Sequence, residues 1–223
     1  MSNPLTNLSF DEWLVHVFDH EVRQPQWYFA VDAQYWEAPA AATVAYITRL
    51  FEDPIPYVCS YSNEQLNQGF WYILSNGASD YMFALLDEQV SLEARRRCIR
   101  SFVSIFEKLL AARCSAHLSH LDEPGADTLN LACYMWWDII PIDPQPSVVA
   151  HREIDEECLQ VMENILNLDS LACQESALHG LGHWQHHYSQ TIEKIIGEFI
   201  TRQPNLRPEL LSYAKSARTG CVL

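Results

Sequence analysis

The chain has 223 residues, 48% of them hydrophobic and 12% aromatic, which excludes a disordered segment and suits one domain or a short array sharing a continuous core. Its 14 basic against 29 acidic residues leave a formal net charge of -15. That field repels nucleic-acid phosphates and anionic membrane surfaces, and it draws in a basic protein. Seven glycines are few for a sheet protein full of tight turns, so the composition favours long helices. Cys59, Cys98, Cys114, Cys133, Cys158, Cys173 and Cys221 are odd in number and never spaced as a CxxC pair. Cys98, Cys133, Cys158 and Cys173 sit among apolar residues, as buried reduced thiols would. The first residues lack the basic-then-apolar pattern of a signal peptide, and no apolar run reaches the length of a membrane span. Cys221 stands third from the end, where prenylation needs the fourth. The expectation is a cytoplasmic protein.

In chain order, Ser9 with Glu12 makes a capping box for a first helix. Phe10, Leu14, Val17 and Phe18 fall on one side of it, and His16 and His20 fall on a side read as solvated. Residues 24–38 are aromatic and irregular, a packed loop or one short turn. Pro39 opens a second helix, ended by Pro54 and Pro56. Ser62 with Gln65 caps a third, closed by Asn76-Gly77, and a short helix follows over 79–88. Ser91 starts a long helix with Leu92, Ile99, Phe102, Val103, Phe106, Leu109 and Leu110 in one stripe. Of its arginines, Arg95 projects toward the apolar side and is expected to pair with a carboxylate, whereas Arg96, Arg97 and Arg100 point outward. His117 and His120 lie where this helix frays.

From Asp127 the pattern becomes more regular. A helix through Trp136 and Trp137 ends at a proline-rich connector. The next has Ile154, Cys158, Val161, Met162, Ile165 and Leu166 in one stripe, with Glu153, Asp155, Glu156 and Glu157 crowding its first turn. Residues 168–203 read as two helices meeting at a tight corner weakened by Gly180 and Gly182, and Pro208 opens a closing helix. Leu131-Ala132-Cys133 recurs as Leu171-Ala172-Cys173, and the stripe from Ile154 matches the one from Tyr188, which suggests an internal repeat. A unit of this length with Ala177, Leu178, Gly180 and Gly182 at its corner resembles the HEAT family of helical repeats over about residues 127–202. The resemblance implies an all-α fold, a right-handed superhelix of stacked helical hairpins that presents a surface to another macromolecule. Residues 127–168 and 169–203 would be two helix pairs and 206–218 a capping helix, within a single domain of residues 1–223 whose first 126 residues are less regular. A closed orthogonal helical bundle is the alternative architecture.

One constellation carries candidate chemistry. On a straight helix Glu175, His179, His183 and His186 fall within a stripe about 80° wide, turned away from the leucine face. His179, His183, Trp184, His186 and His187, with Trp137, are the candidate partner-binding residues. No glycine-rich phosphate loop, nucleophile elbow or catalytic dyad spacing is present, so the sequence assigns no catalytic residue, no cofactor and no metal. The leading reading is a non-enzymatic module binding a basic protein partner, with an inhibitor of the immunity-protein kind as one form. The alternative is a metal-dependent enzyme using His179, His183 and one of His186 or His187. A self-associating scaffold is the third reading.

Overall fold

The computed structural model describes residues 4–222, Ala150 through its backbone alone. The readings that reach Met1–Asn3 or Leu223, on a leader and on prenylation, lie outside the described residues. Every regular element among the described residues is helical, and the one β contact is an isolated bridge between Leu5 and Trp36. No helix among them is long and apolar enough to cross a membrane. The chain divides into two compact units: one runs to Lys108 and takes in Ile139–Ile142, the other comprises Leu109–Asp138 and the chain from Asp143 onward.

In the first unit, helix α1 (Phe10–Phe18) begins at the expected capping box, with Ser9 Oγ accepting from Glu12 N–H at 3.3 Å and Glu12 Oε2 accepting from Ser9 N–H at 2.8 Å. Its buried side is Phe10, Trp13, Leu14, Val17 and Phe18. His16 and His20 are not on a solvated face. The 24–38 segment folds over them with Trp27 buried, so His20 stacks on Trp27 at 3.8 Å and His16 Nε2 lies 3.3 Å from Tyr72 Oη. Burial, and then the neighbouring His20, lowers His16 to a pKa of about 4.

Pro39 caps α2 (Ala40–Glu52), while Pro54 and Pro56 end it and at once open the single turn α3 (Ile55–Val58). The capping box of Ser62 and Gln65 starts α4 (Asn63–Leu74), which stops before Asn76-Gly77. The short helix expected over 79–88 is a 3-10 turn, Tyr81–Leu85. Ser91 caps α5 (Leu92–Ile105), which packs on α2 with Phe102 edge-on to Phe51 and Arg97 bidentate to Glu52. Its chain continues through a π-helical turn, Phe106–Leu110, into α6 (Ala111–Arg113). Arg95 departs from expectation: its Nε is buried without a hydrogen-bond partner.

The second unit is built from α7 (Leu129–Ile139, its last residue belonging to the first unit), α8 (Val149–Leu166), α9 (Leu171–Arg202) and α10 (Pro208–Ala217). The α8 stripe from Ile154 to Leu166 is buried as the periodicity requires. Because α8 starts at Val149, the acidic run 153–157 lies beyond its first turn, with Asp155 and Glu157 buried. The largest difference concerns α9. Two helices do meet within Leu171–Arg202, but at Tyr188 (φ -131°, ψ 41°) rather than at Gly180–Gln185, and the first of them runs through both glycines. There Tyr188 donates from its hydroxyl to the buried Asp155 carboxylate at 2.6 Å, which also accepts from Gln145 N–H at 2.7 Å. The glycines serve close approach instead. A Cβ on Gly180 would lie 2.6 Å from Trp137 Cγ, and one on Gly182 would lie 2.5 Å from Val222 Cγ1.

Candidate functional site

The first three turns of α9 have no solvated side. From Ala172 to Gly182 every residue is buried, because α8 and α10 both pack on this helix. The stripe turned away from the leucines is therefore buried in its first half, at Glu175 and His179, and exposed at His183 and His186. Glu175 is fully buried and His179 is 1% exposed, so the expected exposed face holds only for His183, His186 and His187.

Glu175 is satisfied locally. Its carboxylate accepts from Ser119 N–H and His120 N–H, both at 2.9 Å, and meets His120 Nδ1 at 2.6 Å. It thereby holds the 3-10 turn Ser119–Leu121 against α9, with its buried oxygens satisfied by two backbone N–H groups and the His120 ring. His120 in turn stacks on Tyr213 of α10, 4.0 Å between centroids and 17° from parallel.

His179 sits one turn along. Its Nδ1 lies 2.8 Å from Tyr213 Oη, which lies 3.2 Å from Tyr134 Oη. The Tyr134 ring also covers the imidazole at 4.2 Å. Its other nitrogen, Nε2, faces His183 Nε2 at 3.1 Å. Burial first, then the neighbouring His183 and His120, lowers His179 to a pKa of about 3, so the ring is neutral at physiological pH. Burial and the contact with Tyr134 raise the Tyr213 hydroxyl well above its ordinary range. His183, at the edge of this buried chain, is 38% exposed in its side chain, and its Nε2 lies 3.6 Å from Oδ1 of Asp138 at the end of α7.

The structure thus joins only part of the set read from sequence. His179 and His183 converge, as two residues four apart on a helix can. His186 and His187 are exposed and lie outside that convergence, His186 resting with Gln185 against Gly220. Trp137 and Trp184 are 4% and 3% exposed, so neither offers an anchor to a partner: Trp137 packs on Gly180, and Trp184 stacks beside Tyr188. The residues the sequence did not assign are Asp138, Tyr134 and Tyr213. They come from α7 and α10, and no local spacing links them to α9.

Chemically, the two Nε2 atoms 3.1 Å apart can form one hydrogen bond, the tautomer deciding which donates and which accepts. The ligand atoms of Asp138, His179 and His183 all lie within 4.8 Å of one another, and this is the group among the described residues able to hold a metal ion. A separate groove of about 680 Å³ lies in the first unit between α2 and α5, over Ala41, Val44 and Ala45 with Arg49, Glu52 and Arg97 at its rim. It contains no histidine or cysteine. No family model matches the chain, and neither a curated protein nor a solved structure matches it.

Proposed function

We propose that the chain is a non-enzymatic helical module that binds a basic protein partner, an inhibitor of the immunity-protein kind being one form of such a module. The observation that carries this reading is the placement of charge. The first unit holds 14 acidic against seven basic side chains, and the second holds 15 against seven, so the excess is common to both. Several of the basic side chains are already engaged: Arg97 with Glu52, Arg100 with Glu93, Lys108 with Asp53, and Arg207 with Glu123 and Glu209. Exposed carboxylates at Glu153, Glu156, Asp169 and Glu193 add to the negative field. Such a field speeds encounter with a basic partner and rejects nucleic acid and anionic membranes. In this reading the helices act as a HEAT-like scaffold. The seven cysteines form no disulfide, and Cys133 is in contact with both Cys114 and Cys173, which suits a reducing cytoplasm.

The test is capture from a lysate of the producing cell on immobilised chain, at low and at moderate salt. The Debye length falls from about 30 Å at 0.01 M to about 8 Å at 0.15 M, so a basic partner should bind faster and be retained better at low salt. Retention of no protein at either salt, or of a partner with an acidic contact surface, overturns the reading.

A further inference from the structure

Nε2 of His179 and Nε2 of His183 lie 3.1 Å apart, with Asp138 Oδ1 3.6 Å from His183 Nε2 and all three ligand atoms within 4.8 Å of one another. Ligands bonded to one zinc-class ion at about 2.0–2.2 Å stand about 3.3–3.5 Å from each other when the angle between them is tetrahedral. The two observed separations bracket that value. The donor set, two imidazoles and a carboxylate, matches borderline divalent ions rather than calcium or magnesium, which take oxygen ligands.

The surroundings support the same occupant. His179 cannot swing away, since Tyr134 covers its ring and Tyr213 Oη holds Nδ1 at 2.8 Å. A hydrogen bond on the far ring nitrogen is how metal-bound histidines are oriented, and here it comes with a further partner behind it, Tyr134 Oη. With Nδ1 donating to Tyr213, Nε2 of His179 carries a lone pair toward His183. A cation between the two Nε2 atoms takes a lone pair from each, the proton of the His183 ring standing on its Nδ1. His183 and Asp138 are partly exposed, which gives the ion a path in from solvent.

We propose that Asp138, His179 and His183 form a three-ligand site for a divalent transition metal of the zinc class, its fourth position open to solvent. The site differs from a helix-borne set using His186 or His187, because its third ligand comes from α7. It stands apart from the protein-partner reading, and either can fail without the other.

The experiment uses the full chain without a histidine tag, stripped with chelator and titrated with Co²⁺, whose visible absorption is intense in low-coordinate nitrogen and oxygen sites. The expected result is one saturable equivalent displaced by Zn²⁺. Asp138→Ala and His183→Gln change side chains near the surface, so circular dichroism should report an intact fold while affinity falls at least about tenfold in each. The double variant His186→Gln/His187→Gln should bind as the parent does. Three results overturn the proposal: no saturable equivalent in the parent, undiminished binding in Asp138→Ala and His183→Gln, or loss of binding in the His186/His187 variant.

Discussion

Gly180→Ala and Gly197→Ala make the same chemical change in the same helix, and the structure gives them opposite signs. An alanine in place of a helical glycine gains about 1 kcal/mol from backbone propensity. At Gly197 a Cβ meets nothing within 4 Å, so that gain should survive as about 0.5–1 kcal/mol of added stability. At Gly180 the Cβ would stand 2.6 Å from Trp137 Cγ, 2.8 Å from Trp137 Cβ and 2.8 Å from Met162 Sδ, roughly 1 Å inside normal contact. Methionine can give way, but Cβ and Cγ of a buried tryptophan move only with α7 itself. Overpacking of this kind costs about 1–3 kcal/mol, and a neighbour tied to its backbone puts Gly180→Ala at the upper end. After the propensity gain the net loss is about 2 kcal/mol. Urea denaturation followed by far-ultraviolet circular dichroism reads this as a midpoint lower by about 1 M, at a slope of about 2 kcal/mol per molar. Trp137→Ala removes Cγ, the nearer of the two tryptophan contacts, so Gly180→Ala introduced into that background should lose part of its effect. A higher midpoint for Gly180→Ala in the parent, or an undiminished loss in the Trp137→Ala background, would refute the close-packing account.

Other outcomes follow from the same contacts. Glu175→Ala strips the buried acceptor from Ser119 N–H, His120 N–H and the His120 ring, and thermal melting should report a loss of about 3–5 kcal/mol, with Glu175→Gln milder. Because His16 is lowered from 6.5 to about 4, its neutral form is favoured by the fold; the stability it confers is full above pH 6.5 and drains as the pH falls toward 4. Allowing for its partial exposure the loss is about 2 kcal/mol, and His16→Leu should flatten that part of the stability–pH curve. An unchanged slope in His16→Leu contradicts the assignment. Tyr213→Phe removes the hydroxyl behind His179 Nδ1 and should weaken Co²⁺ binding by about 10–100-fold while the protein remains folded.

Where one helix face was buried and the other wet, the sequence was a sound guide. Ser9 with Glu12, Ser62 with Gln65, and the stripes of α5 and α8 appear where their spacing put them, since caps and amphipathic periodicity act over a few residues. The same reasoning misplaced Gly180, Gly182 and the His179 end of the histidine face. A glycine at a corner and a glycine under a tryptophan are identical in one dimension, and only the partner helix distinguishes them. An angular stripe shows which residues stand together, as His179 and His183 do, but not whether a neighbour covers them. Asp138 was visible beside Trp137 yet had no role there, because its relation to His183 exists only once α7 and α9 have packed. Tyr188 was assigned to an apolar stripe, whereas its hydroxyl seeks a buried carboxylate on α8 and bends α9 at that point.

The most direct test of the convergence on α9 is the ring ¹⁵N spectrum of the histidines during addition of one equivalent of Zn²⁺ at neutral pH. His179 should be neutral at the start, protonated on Nδ1 in the loaded protein, and should shift at Nε2 together with His183, leaving His186 and His187 unmoved. A charged His179 at neutral pH, or a zinc response confined to His186 and His187, would contradict the account.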